Sequence, residues 1–404
     1  MILSVSNYYL RFFTCCCSLL NQKRILSIFW SALKQAIVPA LGLCFSWLIT
    51  KHFSKELWGG LTQVTIWLSI ITHIASWGNT DYLLRQFSTQ PASLKQSWQK
   101  NFTDRLPILL IACLVPVIWL RNTLGLLIAA WCIIEYTYQS FQPLINFQKK
   151  FKVTVFAEAA SFLVLFLLIY WFRQELNLTL LVILCMVSDA VKTAIAKIYF
   201  IRTVYPFKFQ LPDFTYYTAT FWFFLLGFMG LLSSRADLIY VTTFLHKTEI
   251  AFYQIITTFF SYICSAADML ILPFVPALYR LRKSIVYKLS LQFTLLGIVL
   301  SAMALTVVYF IVTKVYMFQP SILFMFWGFI YVMADFFSYS IVIYLFRLNK
   351  QHKVALFGLI AVALNFSLCY LLVPRYGSIG AIAAASIAHW AIVPLYLYQV
   401  SKAN

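Results

Sequence analysis

Long apolar stretches alternate with short polar breaks over nearly the whole chain of 404 residues. A helix needs about 20 mostly apolar residues to cross the hydrocarbon core, and it satisfies its own backbone polar groups there. Runs of this kind fall at 30–50, 58–78, 106–120, 124–145, 152–172, 178–201, 214–245, 250–278, 287–313, 320–346, 354–373 and 378–399. The pattern predicts an all-α, polytopic membrane protein with twelve transmembrane helices. The run 106–120 is short, and 214–245 is too long for one straight crossing. No connection is long enough to hold an extramembrane domain. The longest are 79–105 and 202–213, and the second follows the sixth span. The expected organisation is an N-terminal cytoplasmic or interfacial segment (1–29), an N-terminal six-helix bundle (30–207) and a C-terminal six-helix bundle (208–404).

Composition agrees with the pattern: 62% of residues are hydrophobic and 11% charged, against about half and a quarter in a soluble domain. The formal net charge of +19 suggests nucleic acid, but its distribution argues otherwise. Arg11, Lys23 and Arg24 precede the first span. The even-numbered connections hold Arg85, Lys95, Lys100, Arg105, Lys149, Lys150, Lys152, Arg202, Lys208, Arg280, Arg282, Lys283, Lys288, Arg347, Lys350 and Lys353. The opposite side holds only Lys51, Lys55, Arg121, Arg173, Lys247, Lys314 and Arg375. The positive-inside rule then puts both termini in the cytoplasm. The basic surplus is a topology signal, and no nucleic-acid partner is expected.

Met1 to Leu20 is mildly apolar, broken by Arg11 and without an A-x-A-like cleavage site, so the first span is expected to act as the targeting signal. The nine cysteines show no CxxC and no Cys/His ligand spacing; they read as small buried hydrophobes, with Cys15, Cys16 and Cys17 in the interfacial segment. No metal or cofactor is expected. No HExxH, GxSxG, P-loop or GxGxxG motif is present, so no catalytic residue is named. A membrane glycosyltransferase or polymerase is the enzyme alternative. It usually carries a large external loop, whereas the first connection here is only "KHFSKELW".

Ionisable residues inside spans are functional candidates by default. Glu135 and Asp189 lie near the middle of the fourth and sixth spans. Lys192 follows Asp189 at i+3, on the same helix face, either as an internal ion pair or as part of a polar cavity wall. Lys34, Lys197 and Glu158 lie nearer the cytoplasmic ends, where lysines can snorkel. Asp335 sits mid-span, and Asp268 precedes Pro273 and Pro276, where a bend is possible. His73 and His389 read as packing or hydrogen-bonding histidines. In "GLLSSRADLIYVTTFL", Arg235 and Asp237 are two residues apart, so they point to nearly opposite faces and cannot form a simple intrahelical pair. Arg235 lies about 31 Å from Phe214 but about 16 Å from the His246-Lys247 turn, at 1.5 Å per residue. The seventh span must therefore tilt, protrude or bend, with Gly227 and Gly230 as the places for a bend.

Three stretches carry a family resemblance. They are "LITKHFSKELWGGLTQV" with "SWGNTDYLLRQFS", "RADLIYVTTFLHKTEIAFYQIITTF", and "LNFSLCYLLVPRYGSIGAIAAASIA", which holds Pro374, Gly377, Gly380 and Ala381 in a Pro-x-x-Gly-x-x-Gly-Ala pattern. The chain resembles the polysaccharide (O-antigen, Wzx-type) flippases of the multidrug/oligosaccharidyl-lipid/polysaccharide exporter superfamily. It departs from them at Lys51-His52-Phe53 and in its N-terminal extension. The resemblance implies a V-shaped pair of six-helix bundles and alternating access. It also implies that an undecaprenyl-pyrophosphate-linked oligosaccharide moves from the cytoplasmic to the periplasmic leaflet of the bacterial inner membrane, in lipopolysaccharide or other surface-polysaccharide synthesis. Membrane lipids, a polysaccharide polymerase and chain-length proteins are the implied partners.

Physics agrees with the need: a sugar–pyrophosphate head cannot cross hydrocarbon unaided, and forked arginine donors suit phosphate. The expected head-group contacts are Arg235, Lys192, Lys34 and Arg85. Asp237, Asp189, Glu135, Asp268 and Asp335 are the candidates for an ion-coupled step. The alternative is a multidrug cation antiporter of the same superfamily, whose cavity would be net acidic.

Overall fold

A computed structural model describes residues 22–271, 283–348 and 350–402. Among them all long regular structure is α-helix, and seven helical segments are long and apolar enough to cross a membrane. The helices run α1 Gln22–His52, α2 Lys55–Ser76, α3 Asn79–Thr89, α4 Leu94–Asp104, α5 Leu106–Leu120, α6 Thr123–Phe147, α7 Phe151–Trp171, α8 Leu178–Val204, α9 Thr215–Phe244, α10 Lys247–Ile271, α11 Lys283–Lys314, α12 Ile322–Arg347 and α13 Gln351–Ser401. The interfacial segment up to residue 21, with its three consecutive cysteines, and Pro273 and Pro276 lie outside the described residues.

Four helix starts carry a side-chain cap. Ser54, Asn122, Asn177 and Ser321 each accept a hydrogen bond from the backbone N–H three residues on. Each cap satisfies one of the orphan donors of a helix start, worth about 1 kcal/mol. The 51-residue α13 breaks at Gly377, whose φ of 59° and ψ of −138° are non-helical. This is the Pro-x-x-Gly position where the sequence places the join between the last two spans, and a left-handed φ suits a residue without Cβ. The stretch 214–245 is filled by the 30-residue α9 without a break.

The chain forms two compact units. Unit 1 holds Asn79–Thr218 with the chain up to Leu43; unit 2 holds Cys44–Gly78 and Ala219–Asn404. The sequence division at 207/208 follows a linker, whereas the packing places the segment around α2 with the C-terminal residues. The reason is local. A Cβ on Gly59 would lie 1.8 Å from the Lys247 carbonyl oxygen, so the glycine allows α2 to meet the start of α10 backbone to backbone. Trp58 Nε1 donates to Gln254 Oε1 at 3.0 Å across the same contact.

In unit 1, the connection 79–105 is not a loop: it folds as α3, a 3-10 turn at Pro91–Ser93, and α4. Leu83 and Phe87, one turn apart and fully buried, pack with Trp98 against Tyr138, Phe141 and Leu144 of α6 and Phe200 of α8. Arg105, which the sequence places among the basic residues of a connection, is fully buried at the α4–α5 joint. Its Nε bonds Asn101 Oδ1 at 3.1 Å, its Nη2 bonds Ser140 Oγ at 2.8 Å, and it lies 4.6 Å from the Tyr136 ring centre. These contacts offset the cost of burying the charge.

In unit 2, Val286, Ile341, Leu345, Phe357, Tyr396 and Val400 form a core shared by α11, α12 and α13.

Candidate functional site

The most concentrated polar chemistry lies inside unit 1, at the depth where the sequence places Glu135 and Asp189. Lys192 on α8 is buried and makes three ion pairs. Its Nζ is 2.9 Å from Asp189 one turn before it, 3.3 Å from Glu135 on α6 and 3.9 Å from Glu158 on α7. The i+3 spacing supplies the first pair within the helix; helix packing supplies the others. Trp131 Nε1 donates to Asp189 Oδ2 at 2.6 Å, and the Tyr138 hydroxyl donates to Glu158 at 3.2 Å. The Tyr138 ring also lies 4.5 Å from Lys192 Nζ. One cation thus faces three carboxylates.

The α6 residues involved are Trp131, Glu135 and Tyr138. Gln142 and Asn146 extend the same face at i+4 steps. These two amides accept from Lys34 of α1 at 3.2 and 3.5 Å. The half-buried Lys34 also lies 5.8 Å from the Phe151 ring centre. A polar stripe therefore runs about 22 Å along α6, at 1.5 Å per residue. Arg85 stands apart from it, exposed on α3.

In unit 2 the predicted residues are dispersed. Asp237 on α9 accepts a hydrogen bond from the buried Tyr253 hydroxyl of α10. Arg235 is half-buried, and no ion pair joins it to a carboxylate among the described residues. The opposite-face geometry read from the sequence thus sends Asp237 to a neighbouring helix and not to Arg235. Asp335 on α12 lies 3.9 Å from His389 Nδ1 on α13, and the Tyr331 and His389 rings are 4.8 Å apart. Asp268 belongs to α10, and its side chain lies outside the described residues. Two open clefts of about 640 and 580 Å³ adjoin at Thr248 and Glu249 of unit 2; neither is lined by a predicted site residue.

The sequence paired Lys192 with Asp189 and pointed to Glu135 by itself, but not to the meeting of all three, and it held Glu158 back as a residue near a span end. Tyr138 and Trp131 carried no charge to flag them, although their i, i+4, i+7 spacing with Glu135 was available. His389 was read as a packing or hydrogen-bonding histidine; its approach to Asp335 depends on how α13 lies against α12.

No family profile matches the chain, and no curated protein sequence is detectably related. Solved structures are similar. A structure of the lipid II flippase MurJ, in an inward closed conformation, superposes with a TM-score of 0.71 at 13% identity, covering 93% of this chain and 88% of that one. An inward-facing multidrug resistance MATE family transporter of the MOP superfamily superposes with a TM-score of 0.59 at 13% identity, covering 93% and 98%. With its long apolar helices, the chain is a multi-pass membrane protein that has the fold of these transporters.

Proposed function

We propose that the protein is a flippase for a lipid-linked oligosaccharide, moving an undecaprenyl-pyrophosphate-linked repeat unit from the cytoplasmic to the periplasmic leaflet by alternating access. The carrying observation is the fold likeness to a lipid II flippase over 93% of the chain. The Wzx-type motifs, including the Gly377 break, support an O-antigen or related surface glycan as the cargo. Arg235 is the head-group contact of choice, because no ion pair joins it to a carboxylate among the described residues and a guanidinium fork matches phosphate. Lys34 and Arg85 are further cationic contacts in this reading. Lys192 contributes as the counter-ion of an acidic cluster that serves an ion-coupled step, with Asp237 and Asp335 as the corresponding groups of unit 2.

The test is genetic and chemical together. Deleting the gene is expected to abolish surface polysaccharide and leave the lipid-linked repeat unit on the cytoplasmic leaflet; wild-type protein restores export, and Arg235→Ala at equal abundance restores little. Normal surface polysaccharide in the deletion strain would overturn the reading. The second reading, a multidrug cation antiporter, draws on the likeness to a MATE transporter and on the net acidity of the Lys192 cluster. It predicts drug hypersensitivity with intact polysaccharide.

A further inference from the structure

The linker from α8 to α9 has the wrong surface for a loop in water. Between Val204 and Thr215 the chain is neither helix nor strand. It reads "YPFKFQLPDF", with an apolar side chain at every second position from Tyr205 to Leu211. Loops run over the surface, and a contiguous exposed apolar patch on one marks something that covers it. Here Tyr205, Phe209, Leu211 and Phe214 are 66, 63, 85 and 72% exposed. Phe207 is the least exposed of the apolar set, with its ring edge-on to Phe102 of α4 at 5.7 Å between centres.

The linker is nevertheless fastened. Lys95 Nζ donates to the Tyr205 carbonyl at 2.7 Å, and Gln99 Nε2 donates to the Val204 and Pro206 carbonyls at 2.7 and 2.8 Å. At the other end the Asp213 N–H donates to Asp104 Oδ1 at 2.8 Å. The short helix α4 thus holds the linker as a strap by main-chain groups at both ends, and the apolar side chains are left outside.

Position and charge say what covers them. The strap begins where α8 ends and finishes where α9 begins, and both helices are apolar enough to span, so it lies at the height of the membrane surface. Ile198, Ile201 and Tyr205 fall at i, i+3 and i+7 on one face of α8, and all three are exposed; the lipid-facing stripe of the helix therefore runs on into the strap. From Ala190 to Pro212 there is no acidic residue. Lys197, Arg202 and Lys208 are exposed there, and none makes an ion pair among the described residues. The nearest acid along the chain after them, Asp213, pairs with Lys100 and accepts from Thr215. Aromatic rings beside basic side chains are the composition of a membrane–water interface with anionic lipid.

We propose that the strap Tyr205–Phe214 lies in the headgroup layer and binds anionic phospholipid. Tyr205, Phe209, Leu211 and Phe214 enter the boundary with the acyl chains. Arg202 and Lys208 meet the lipid phosphates, and Lys197, five residues deeper on α8, reaches them by extending its stem along the helix. The site does not depend on what cargo the protein moves.

Photocrosslinking of the full-length protein tests it. Benzoylphenylalanine is placed at Phe209, at Leu211 or at Gln90, which is exposed in a polar turn beside Ser88 and Thr89. The protein is reconstituted in phosphatidylcholine vesicles that hold a minority of phosphatidylglycerol, irradiated, and its adducts are weighed by mass spectrometry. Positions 209 and 211 are expected to give phospholipid adducts, with phosphatidylglycerol above its share of the bilayer; Gln90 is expected to give almost none. Arg202→Gln and Lys208→Gln, both at exposed positions that the fold does not need, are each expected to cut the phosphatidylglycerol enrichment by up to about fivefold. Repeating the irradiation in native membranes shows whether a protein covers the strap instead. Protein adducts in place of lipid there, lipid adducts as abundant at Gln90 as at Leu211, or an enrichment that survives the Arg202→Gln, Lys208→Gln double variant would each overturn the proposal. No glycan is present in the vesicles, so a strap that binds lipid in a protein that moves no lipid-linked oligosaccharide refutes the flippase reading alone.

Discussion

Replacing Lys192 with methionine removes the cation from a cluster that holds three carboxylates within 4 Å, at 2.9, 3.3 and 3.9 Å. At the two shorter distances, unit charges attract by about 5 kcal/mol each for an effective dielectric of about 20. Much of that attraction offsets the desolvation of the same groups. The observable quantity is the cost of breaking a buried ion pair from one side, about 3–5 kcal/mol. Methionine matches the length of the lysine stem, so little of the loss is packing. Lys192→Met is therefore expected to destabilise unit 1 by about 3–5 kcal/mol. Adding Glu135→Gln and Asp189→Asn to it should recover most of the loss, since removing both sides of a buried pair can be nearly neutral. Unfolding of the detergent-solubilised protein, followed as a mutant cycle, reads both terms. A Lys192→Met protein within about 0.5 kcal/mol of wild type, or a triple variant no more stable than the single one, would refute the account of Lys192 as the counter-ion that holds α6, α7 and α8 together.

Phe87→Ala is expected to cost about 3–5 kcal/mol, because it empties a fully buried position where the 79–105 segment caps unit 1; the exposed Arg85→Ala, two residues away, should change stability by less than about 0.5 kcal/mol, so any export defect it shows reports on binding, and melts of the two variants compared with surface-polysaccharide levels separate these effects. Asp213, between α8 and α9, accepts two bonds from Thr215 and pairs with Lys100 at 3.4 Å, which holds its carboxyl below the usual range, the Thr215 hydroxyl contributing most. A lowered folded-state pKa means that the group stabilises the fold above the ordinary carboxylate pKa of about 3.9, and that this help fades as pH falls through the folded value. Wild type should therefore lose its advantage over Asp213→Asn at acid pH, and a stability gap that stays constant down to that range would contradict the assignment.

Much of this protein was determined by sequence that can be read locally. Apolar runs of about 20 residues dictate spanning helices in a solvent that cannot bond a bare backbone. The Ser and Asn caps dictate where α2, α6, α8 and α12 begin, and the Pro374-x-x-Gly377 pattern marks the break in α13. The Asp189–Lys192 pair followed from a spacing of three residues. Contacts between distant segments were not legible, because an apolar residue that faces lipid and one that faces another helix look alike in a sequence. Phe87 and Trp98 sat in what read as a polar linker, and only packing against α6 and α8 made them core. Arg105 counted as a loop charge until Asn101, Ser140 and Tyr136 closed around it. The segment 44–78 joined unit 2 because Gly59 has no Cβ to hold Lys247 away. The arrival of Glu135 and Glu158 at the lysine that Asp189 already pairs with was decided by tertiary structure alone: each of these two acids is tolerable at that depth only because another helix, α8, brings the charge that offsets it.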